Sequence, residues 1–119
     1  MDEQVLRRQI GQRLVTGFPG REPDEEFIEI ITKYQIGNII LFRHNIESRE
    51  QLTALCGRLR RLIRDVCGTE PFIMIDQEGG MVSRLPDEGC NPPGAMAVAA
   101  VGSVRDAQRT GLAGLFPGN

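Results

Sequence analysis

The sequence predicts an α/β fold built on a mostly parallel sheet. Short apolar runs of strand length alternate with segments of helical period, which is typical of βαβ units with right-handed crossovers. The clearest strand is expected at 72–76, where four apolar residues precede Asp76 and where Gly79 and Gly80 allow the chain to turn. Because this run is apolar on both faces, we expect it to be buried beneath helices.

The second helix is predicted by one apolar face and by its acidic start. Pro23 is expected at its first position, followed by three acidic residues that suit the positive end of the helix dipole. Phe27, Ile30, Ile31 and Tyr34 recur at the spacing of a single buried face.

The third helix has the most regular pattern in the chain. Ser48 and Gln51 form a capping-box pattern ahead of apolar residues that keep helical period through Val66. The predicted elements are helix 2–10, strand 13–16, helix 23–36, strand 38–42, helix 48–68, strand 72–76 and helix 103–112. Residues 86–94 are expected to form a loop, and 114–119 a frayed, disordered tail.

Length and composition fit one small globular domain. The chain has 119 residues, of which 40% are hydrophobic and 25% are charged. No apolar run approaches the roughly 20 residues of a membrane span, and the acidic start lacks the features of a signal peptide. We therefore expect a cytoplasmic protein without a membrane partner. The net charge of −2 argues against nucleic acid as a partner.

The three cysteines predict free thiols. Cys56 and Cys67 fall on one predicted helix, roughly 16 Å apart at about 1.5 Å per residue, which is too far for a disulfide. Together with Cys90 they make an odd number, as in a reducing compartment. His44 cannot complete a zinc site with them at the usual spacings. We expect no metal and no cofactor.

Two carboxylates lie at the expected carboxyl end of the 72–76 strand, where parallel sheets bind ligands. Asp76 is the preferred ligand-binding residue, with Glu78, Gly79 and Gly80 shaping the loop. A catalytic carboxylate pair and a purely structural turn stay open as alternatives. The Asp-x-Glu pattern also resembles the magnesium-binding strand of a nucleotide hydrolase, but the chain has no G-x-x-x-x-G-K-[ST] phosphate loop.

Three further polar residues lie in the predicted loops. His44 and Asn45 follow strand 38–42, and Arg84 follows the glycine pair. His44 has no acidic partner nearby in sequence, so we expect a structural or peripheral role. Asn45 is expected to satisfy loop backbone groups rather than a ligand hydroxyl. For Arg84, a loop carboxylate and a ligand oxygen are equally suitable partners.

Several of these segments together resemble the N-terminal domain of glycoside hydrolase family 3, in particular the bacterial exo-acting β-N-acetylglucosaminidases of cell-wall recycling. The matching segments are Gly-Asn-Ile-Ile-Leu-Phe at 37–42, Asn-Ile-Glu-Ser at 45–48, Ile-Asp-Gln-Glu-Gly-Gly-Met-Val-Ser-Arg-Leu at 75–85 and Pro-Pro-Gly-Ala-Met-Ala at 92–97. The resemblance covers roughly residues 10–111, and the Asp-Gln-Glu-Gly-Gly motif is its most specific part.

The resemblance implies a (β/α)8 barrel that removes a terminal β-linked sugar with retention, through a covalent glycosyl-enzyme. The substrate would be a β-linked amino-sugar saccharide. In this family the aspartate that matches Asp76 holds hydroxyls of the terminal sugar. The arginine that matches Arg84 belongs to the same loop.

The chain departs from the family because it ends before the Lys-His-x-Pro-Gly-x-Gly acid/base loop and the aspartate nucleophile. We expect a truncated N-terminal fragment, 1–119, that holds about the first three βα units of a barrel of about 250 residues. It would bind sugar but supply no catalytic residue. Its unpaired edge and uncovered face would favour self-association or a complementary fragment.

Two other functions remain open from the sequence. The chain could be a non-catalytic interaction module, a half-barrel that docks on a partner chain. It could also be an unrelated three-layer α/β protein that binds a small phosphate ligand at Gly79 and Gly80.

Overall fold

The computed structural model describes residues 1–86 and 92–115, which divide into two compact units, Met1–Ile75 and Asp76–Asn119. The first unit contains α1 (Glu3–Gly11), β1 (Val15–Thr16), α2 (Glu25–Tyr34), β2 (Asn38–Leu41), a 3-10 turn (Arg43–Asn45), α3 (Arg49–Cys67) and β3 (Ile73–Ile75). The second contains α4 (Ala95–Val101) and α5 (Val104–Leu115). Among the described helices, none combines the length and the apolar character that a membrane span requires.

The three strands form one parallel sheet in the order β1-β2-β3. Val15 lies beside Asn38 in the first pairing, and Ile39 lies beside Ile73 in the second. Helices α2 and α3 connect consecutive strands, as βαβ units require. The predicted α/β fold with parallel strands is therefore confirmed.

The core of the first unit lies between one face of the sheet and helices α2 and α3. Ile39 and Leu41 of β2 point into it. The other buried members of this core are Phe18, Phe27, Ile31, Ile36, Leu55, Leu59, Ile63 and Cys67. The four core residues of α3 recur every fourth position, so the regular stripe of the sequence is the buried face of the helix.

The opposite face of the sheet is partly exposed. Alternation along the strands places Val15, Ile40 and Met74 on this face, away from the core. The prediction of a 72–76 strand buried on both sides is wrong, because β3 is shorter, Phe72 is 74% exposed and Met74 is 37% exposed. Helices of the first unit cover only one face, which the apolar character of the strand does not reveal.

The predicted helix starts are largely confirmed by capping hydrogen bonds. The Asp2 carboxylate accepts from the Gln4 N–H at 3.0 Å at the start of α1. Ser48 Oγ accepts from the Gln51 N–H at 3.1 Å at the start of α3. These bonds satisfy N–H groups that have no partner inside the helix, so the capping residues set where each helix begins.

Helix α2 differs from its prediction at both ends. The helix begins at Glu25, and the carboxylate of Asp24 caps it by accepting from the Phe27 N–H at 2.8 Å. Pro23 precedes this cap and is not the first helical residue. At the other end Tyr34 is 49% exposed, so it does not belong to the buried face.

Helix α4 was not predicted, and the last helix is longer than expected. The sequence of α4 is apolar all round and Gly94 gives it no side-chain cap, so neither period nor cap signals it. Helix α5 extends to Leu115 and includes the first two residues of the expected 114–119 tail. Residues 116–119, and 87–91 of the expected loop 86–94, lie outside the described residues.

Candidate functional site

The candidate site is the loop that follows β3. Asp76 comes directly after Ile75, the last residue of the strand, and its side chain is exposed. The side chain of Glu78 is exposed as well. Two carboxylates are thus available to a ligand just past the carboxyl end of a parallel strand, where such sheets bind ligands.

Gln77, between the two carboxylates, ties the two ends of the loop together. Its Oε1 accepts from the backbone N–H of Arg84 at 2.8 Å and from that of Leu85 at 3.3 Å. Its Nε2 donates to the hydroxyl of Ser83 at 2.9 Å. One half-buried amide therefore joins the start of the loop to its return.

The chain reverses at the glycine pair between these ends. Gly79 and Gly80 adopt positive φ angles of 79° and 58°, which residues with a Cβ rarely adopt. The N–H of Glu78 donates to the carbonyl of Val82 at 2.9 Å, and the N–H of Val82 donates to that of Gly79 at 3.3 Å. These bonds make a tight antiparallel turn.

The turn packs against a second segment of the same unit. The N–H of Gly80 donates to the carbonyl of Pro92 at 3.0 Å. A Cβ on Gly79 would lie 2.5 Å from the carbonyl oxygen of Pro92 and 2.7 Å from that of Pro93. Glycine is therefore required at 79 by close backbone packing as well as by its φ angle.

Arg84 is half-buried at the returning end of the loop. Its Nε is enclosed and has no hydrogen-bond partner among the residues that the structure describes. A buried polar group without a partner costs about 1–3 kcal/mol.

A cavity of about 510 Å³ lies within the second unit. Gln77 and Glu78 line it from the loop, and Pro92, Val98 and Thr110 are among the residues on its other sides. Its size falls in the range of roughly 300–1,000 Å³ that small-molecule pockets occupy. Most of the lining is apolar, and Glu78 provides the charge.

Asn45, in the 3-10 turn of the first unit, is fully buried. Its amide donates to the carbonyls of Phe18 at 2.9 Å and Gly20 at 2.5 Å, and its Oδ1 accepts from the Phe42 N–H at 2.8 Å. Both amide hydrogens and the oxygen are thus used within the protein. Asn45 fixes the loops that follow β1 and β2.

His44 is exposed, and its ring stacks on that of Phe42 with centroids 5.8 Å apart. Its Nε2 lies 3.1 Å from the carbonyl oxygen of Phe18. Because a carbonyl oxygen only accepts, this contact requires Nε2 to carry the proton. His44 thus contributes to the same loop packing as Asn45.

The described part of the chain gives little support for a metal site or for a reactive thiol. No group of three or more His, Cys, Asp or Glu side chains there is placed to hold a metal ion. Cys56 and Cys67 are free. Burial raises the pKa of both thiols, which keeps them protonated and weakly reactive.

The loop after β3, in the second unit, contains five of the residues that the sequence singled out. These are Asp76, Glu78, Gly79, Gly80 and Arg84. His44 and Asn45 belong to the first unit. Gln77, which joins the two ends of this loop, has no predicted role. The available signal was an amide beside a Gly-Gly turn, which can accept and donate across a chain reversal.

The parallel three-stranded sheet with helical connections defines an α/β protein. The chain belongs to glycosyl hydrolase family 3, whose N-terminal domain model matches residues 5–114. The resemblance found in the sequence motifs is thereby confirmed.

Similar curated proteins include two bacterial β-hexosaminidases. The protein from Psychromonas ingrahamii is 40% identical over 76 residues, which cover 64% of this chain and 21% of the relative. The protein from Haemophilus influenzae is 32% identical over 74 residues, which cover 62% of this chain and 20% of the relative. The chain thus spans about a fifth of the length of these relatives.

Similar solved structures lead to the same family. A family 3 β-N-acetylglucosaminidase from Paenibacillus sp. matches with a TM-score of 0.80 and 34% identity, over 88% of this chain and 20% of that one. NagZ from Neisseria gonorrhoeae, crystallised with N-trifluoroacetyl-D-glucosamine, matches with a TM-score of 0.66 and 26% identity, over 84% and 28% of the two chains.

Proposed function

We propose that the chain forms the sugar-binding, N-terminal part of a retaining β-N-acetylhexosaminidase that hydrolyses terminal β-linked N-acetylglucosamine. The observation that carries the proposal is the loop after β3, in which Asp76 follows the strand end and Gln77 ties the start of the loop to Arg84. The similarity to β-hexosaminidases and to a NagZ structure with a bound glucosamine derivative supports this substrate class.

Asp76 and Arg84 have complementary hydrogen-bonding capacity for a sugar. An ionised carboxylate only accepts, so Asp76 would take the hydroxyl hydrogens of the terminal ring. Arg84 only donates, and its guanidinium would bind an oxygen of the same sugar. Hydrogen bonds to charged groups contribute about 1.5–3 kcal/mol each, so the loss of either side chain would weaken binding clearly.

The proposed function also implies that the three-stranded sheet is part of a larger barrel. We infer that β1, β2 and β3 are the first three strands of a (β/α)8 barrel. The partly exposed face with Val15, Ile40 and Met74 would then line the barrel interior, which such barrels fill with layers of side chains.

The acid/base group and the nucleophile would come from other strands of that barrel. Lys33 is the sole lysine and His44 the sole histidine of the 119 residues, so no Lys-His pair is encoded in them. We therefore expect the 119 residues to bind sugar without cleaving it.

Titration of the isotope-labelled chain with N-acetylglucosamine, followed by NMR, tests the sugar-binding role. We expect chemical-shift changes in residues 76–85, their loss in Asp76→Asn, and their retention in Asp65→Asn, which alters an exposed aspartate of α3. No shift changes in the wild-type chain would refute the proposal. Hydrolysis of an aryl β-N-acetylglucosaminide by the chain, abolished in Asp76→Ala, would refute the assignment of catalysis to other residues.

The exposed sheet face favours a second candidate, a non-catalytic interaction module. Met74 of β3 is 37% exposed, and Phe72, directly ahead of β3, is 74% exposed, so two large apolar side chains lie open to solvent next to each other. Either self-association or a complementary chain would cover them. Light scattering after size exclusion distinguishes these arrangements from a monomer, and a Met74→Gln variant with reduced association would place the contact on this face.

We further propose that the protein acts in the cytoplasm, in the recycling of cell-wall sugars. The free thiols of Cys56 and Cys67 support a reducing compartment. Fractionation of cells that express the protein, with a tag at either end, would test the compartment, and export of the tagged protein would refute it.

A further inference from the structure

We propose that Gln77 is the positioning residue of the loop, whose side-chain amide holds Arg84 in register with Asp76. The inference rests on the proposed function only for the identity of the ligand. Gln77 itself has no direct role toward the sugar in this proposal. It acts through the backbone of the residue that binds.

The hydrogen bonds of the loop show why this one side chain matters. The turn itself is held by the bonds of Glu78, Val82 and Gly80, all of which lie before Arg84 in the chain. The backbone N–H groups of Arg84 and Leu85 both donate to Gln77 Oε1. The amide of Gln77 therefore holds the backbone of Arg84, whose side chain carries the guanidinium, against the start of the loop.

The position of Gln77 next to Asp76 in the sequence supports this positioning role. Gln77 is the immediate neighbour of Asp76, so the residue that fixes Arg84 is bonded covalently to the one that carries the carboxylate. In this proposal, a shift of the Gln77 side chain moves the backbone of Arg84 relative to Asp76. A binding site that requires two contacts at a set separation loses affinity when that separation varies.

The chemistry of the amide allows a conservative replacement. A glutamate at 77 would keep an oxygen acceptor for both N–H groups. The Ser83 hydroxyl, which accepts from Nε2, is also able to donate to a carboxylate oxygen. A methionine of similar length would keep the packing volume and remove all three hydrogen bonds.

Amide hydrogen exchange of the full chain, resolved to single residues by mass spectrometry, tests the proposal. We expect exchange at Arg84 and Leu85 to be about tenfold faster in Gln77→Met, the effect of a lost hydrogen bond at the upper end of the usual range. Gln77→Glu should restore slow exchange. Gln108→Met, which alters an exposed glutamine of α5 in the same unit, is the matched control and should behave as the wild type.

Titration with N-acetylglucosamine separates this inference from the proposed function. If the wild type binds the sugar, Gln77→Met should bind at least tenfold more weakly and Gln77→Glu within about threefold. Equal sugar affinity, or unchanged exchange at Arg84, in Gln77→Met would overturn the positioning role. If the wild-type protein does not bind the sugar, only the proposed function is refuted. The hydrogen-exchange data then decide whether Gln77 fixes Arg84.

Discussion

The side chain of Asn38 accepts a hydrogen bond from the backbone N–H of Phe72 at 3.1 Å. The same side chain donates to the carbonyls of Gln12 at 2.8 Å and Leu14 at 3.2 Å. One buried amide at the start of β2 therefore bonds to the chain ahead of β1 and ahead of β3. It holds the amino-terminal ends of all three strands together.

Replacement of this amide should destabilise the sheet. Asn38→Ala removes three hydrogen bonds and leaves backbone groups without partners in a place where Asn38 itself is only 7% exposed. We expect a loss of about 3 kcal/mol in the free energy of unfolding, measured by urea denaturation. Gln9→Ala, on the exposed surface of α1, is the control, and an equal effect of both variants would contradict this role of Asn38.

Leu59 should be among the most costly core positions. It is fully buried on α3 between the sheet and α2, whereas Leu62 on the same helix is only partly buried. Leu59→Ala should lower the free energy of unfolding by about 2–5 kcal/mol. Leu62→Ala should cost clearly less, and the reverse order in thermal or urea unfolding would show that the packing is different.

Two glycines with similar φ angles should differ in their tolerance of alanine. Gly68 has φ of 71° and open space around a Cβ, while Gly79 has φ of 79° and backbone oxygens within 3 Å of that position. Gly68→Ala should cost about 1 kcal/mol, the strain of the left-handed region alone. Gly79→Ala should also displace the turn, and amide exchange at Glu78 and Val82 should accelerate only in that variant.

The ion pair of Arg64 and Glu70 gives a pH-dependent prediction. Hydrogen bonds from the Arg64 guanidinium, reinforced by the charges of Arg64 and Arg60, lower the pKa of Glu70. The stabilisation is therefore present above the ordinary glutamate pKa of about 4.3 and is lost as the pH falls through the lower, folded value. Since the pair is exposed, the effect on stability should be small.

Titration of the Glu70 carboxyl by NMR checks this prediction directly. Arg64→Met should raise the pKa of Glu70 towards its ordinary value. Arg61→Met, another exposed arginine of α3, should leave it in place. A pKa that does not respond to the loss of Arg64 would show that the pair does not form in solution.

The helices with strong local signals were predicted well from the sequence. Helix α3 has a four-residue apolar repeat and a Ser48 cap, and both signals depend only on neighbours in the chain. Helix α4 has neither signal, so it was missed. Burial of β3 was overestimated because the covering of a second sheet face depends on distant parts of a fold.

The site could be predicted only in part, because only some of its features depend on neighbours in the sequence. Asp76 and the two glycines are recognisable because a strand end and a turn are local features. The role of Gln77 depends on the chain returning seven residues later, and the close packing of Gly79 depends on Pro92 and Pro93. Neither contact has a signature in the residues themselves.

The role that we propose for Asp76 is to hold the sugar in a family 3 hydrolase. Its most direct test is a chimera in which these 119 residues replace the matching part of the Paenibacillus β-N-acetylglucosaminidase, assayed with an aryl β-N-acetylglucosaminide. We predict hydrolysis by the chimera, a fall in kcat/KM of about a hundredfold or more in Asp76→Asn, and no change in Asp65→Asn. A folded chimera whose kcat/KM is the same with asparagine at 76 would contradict the claim.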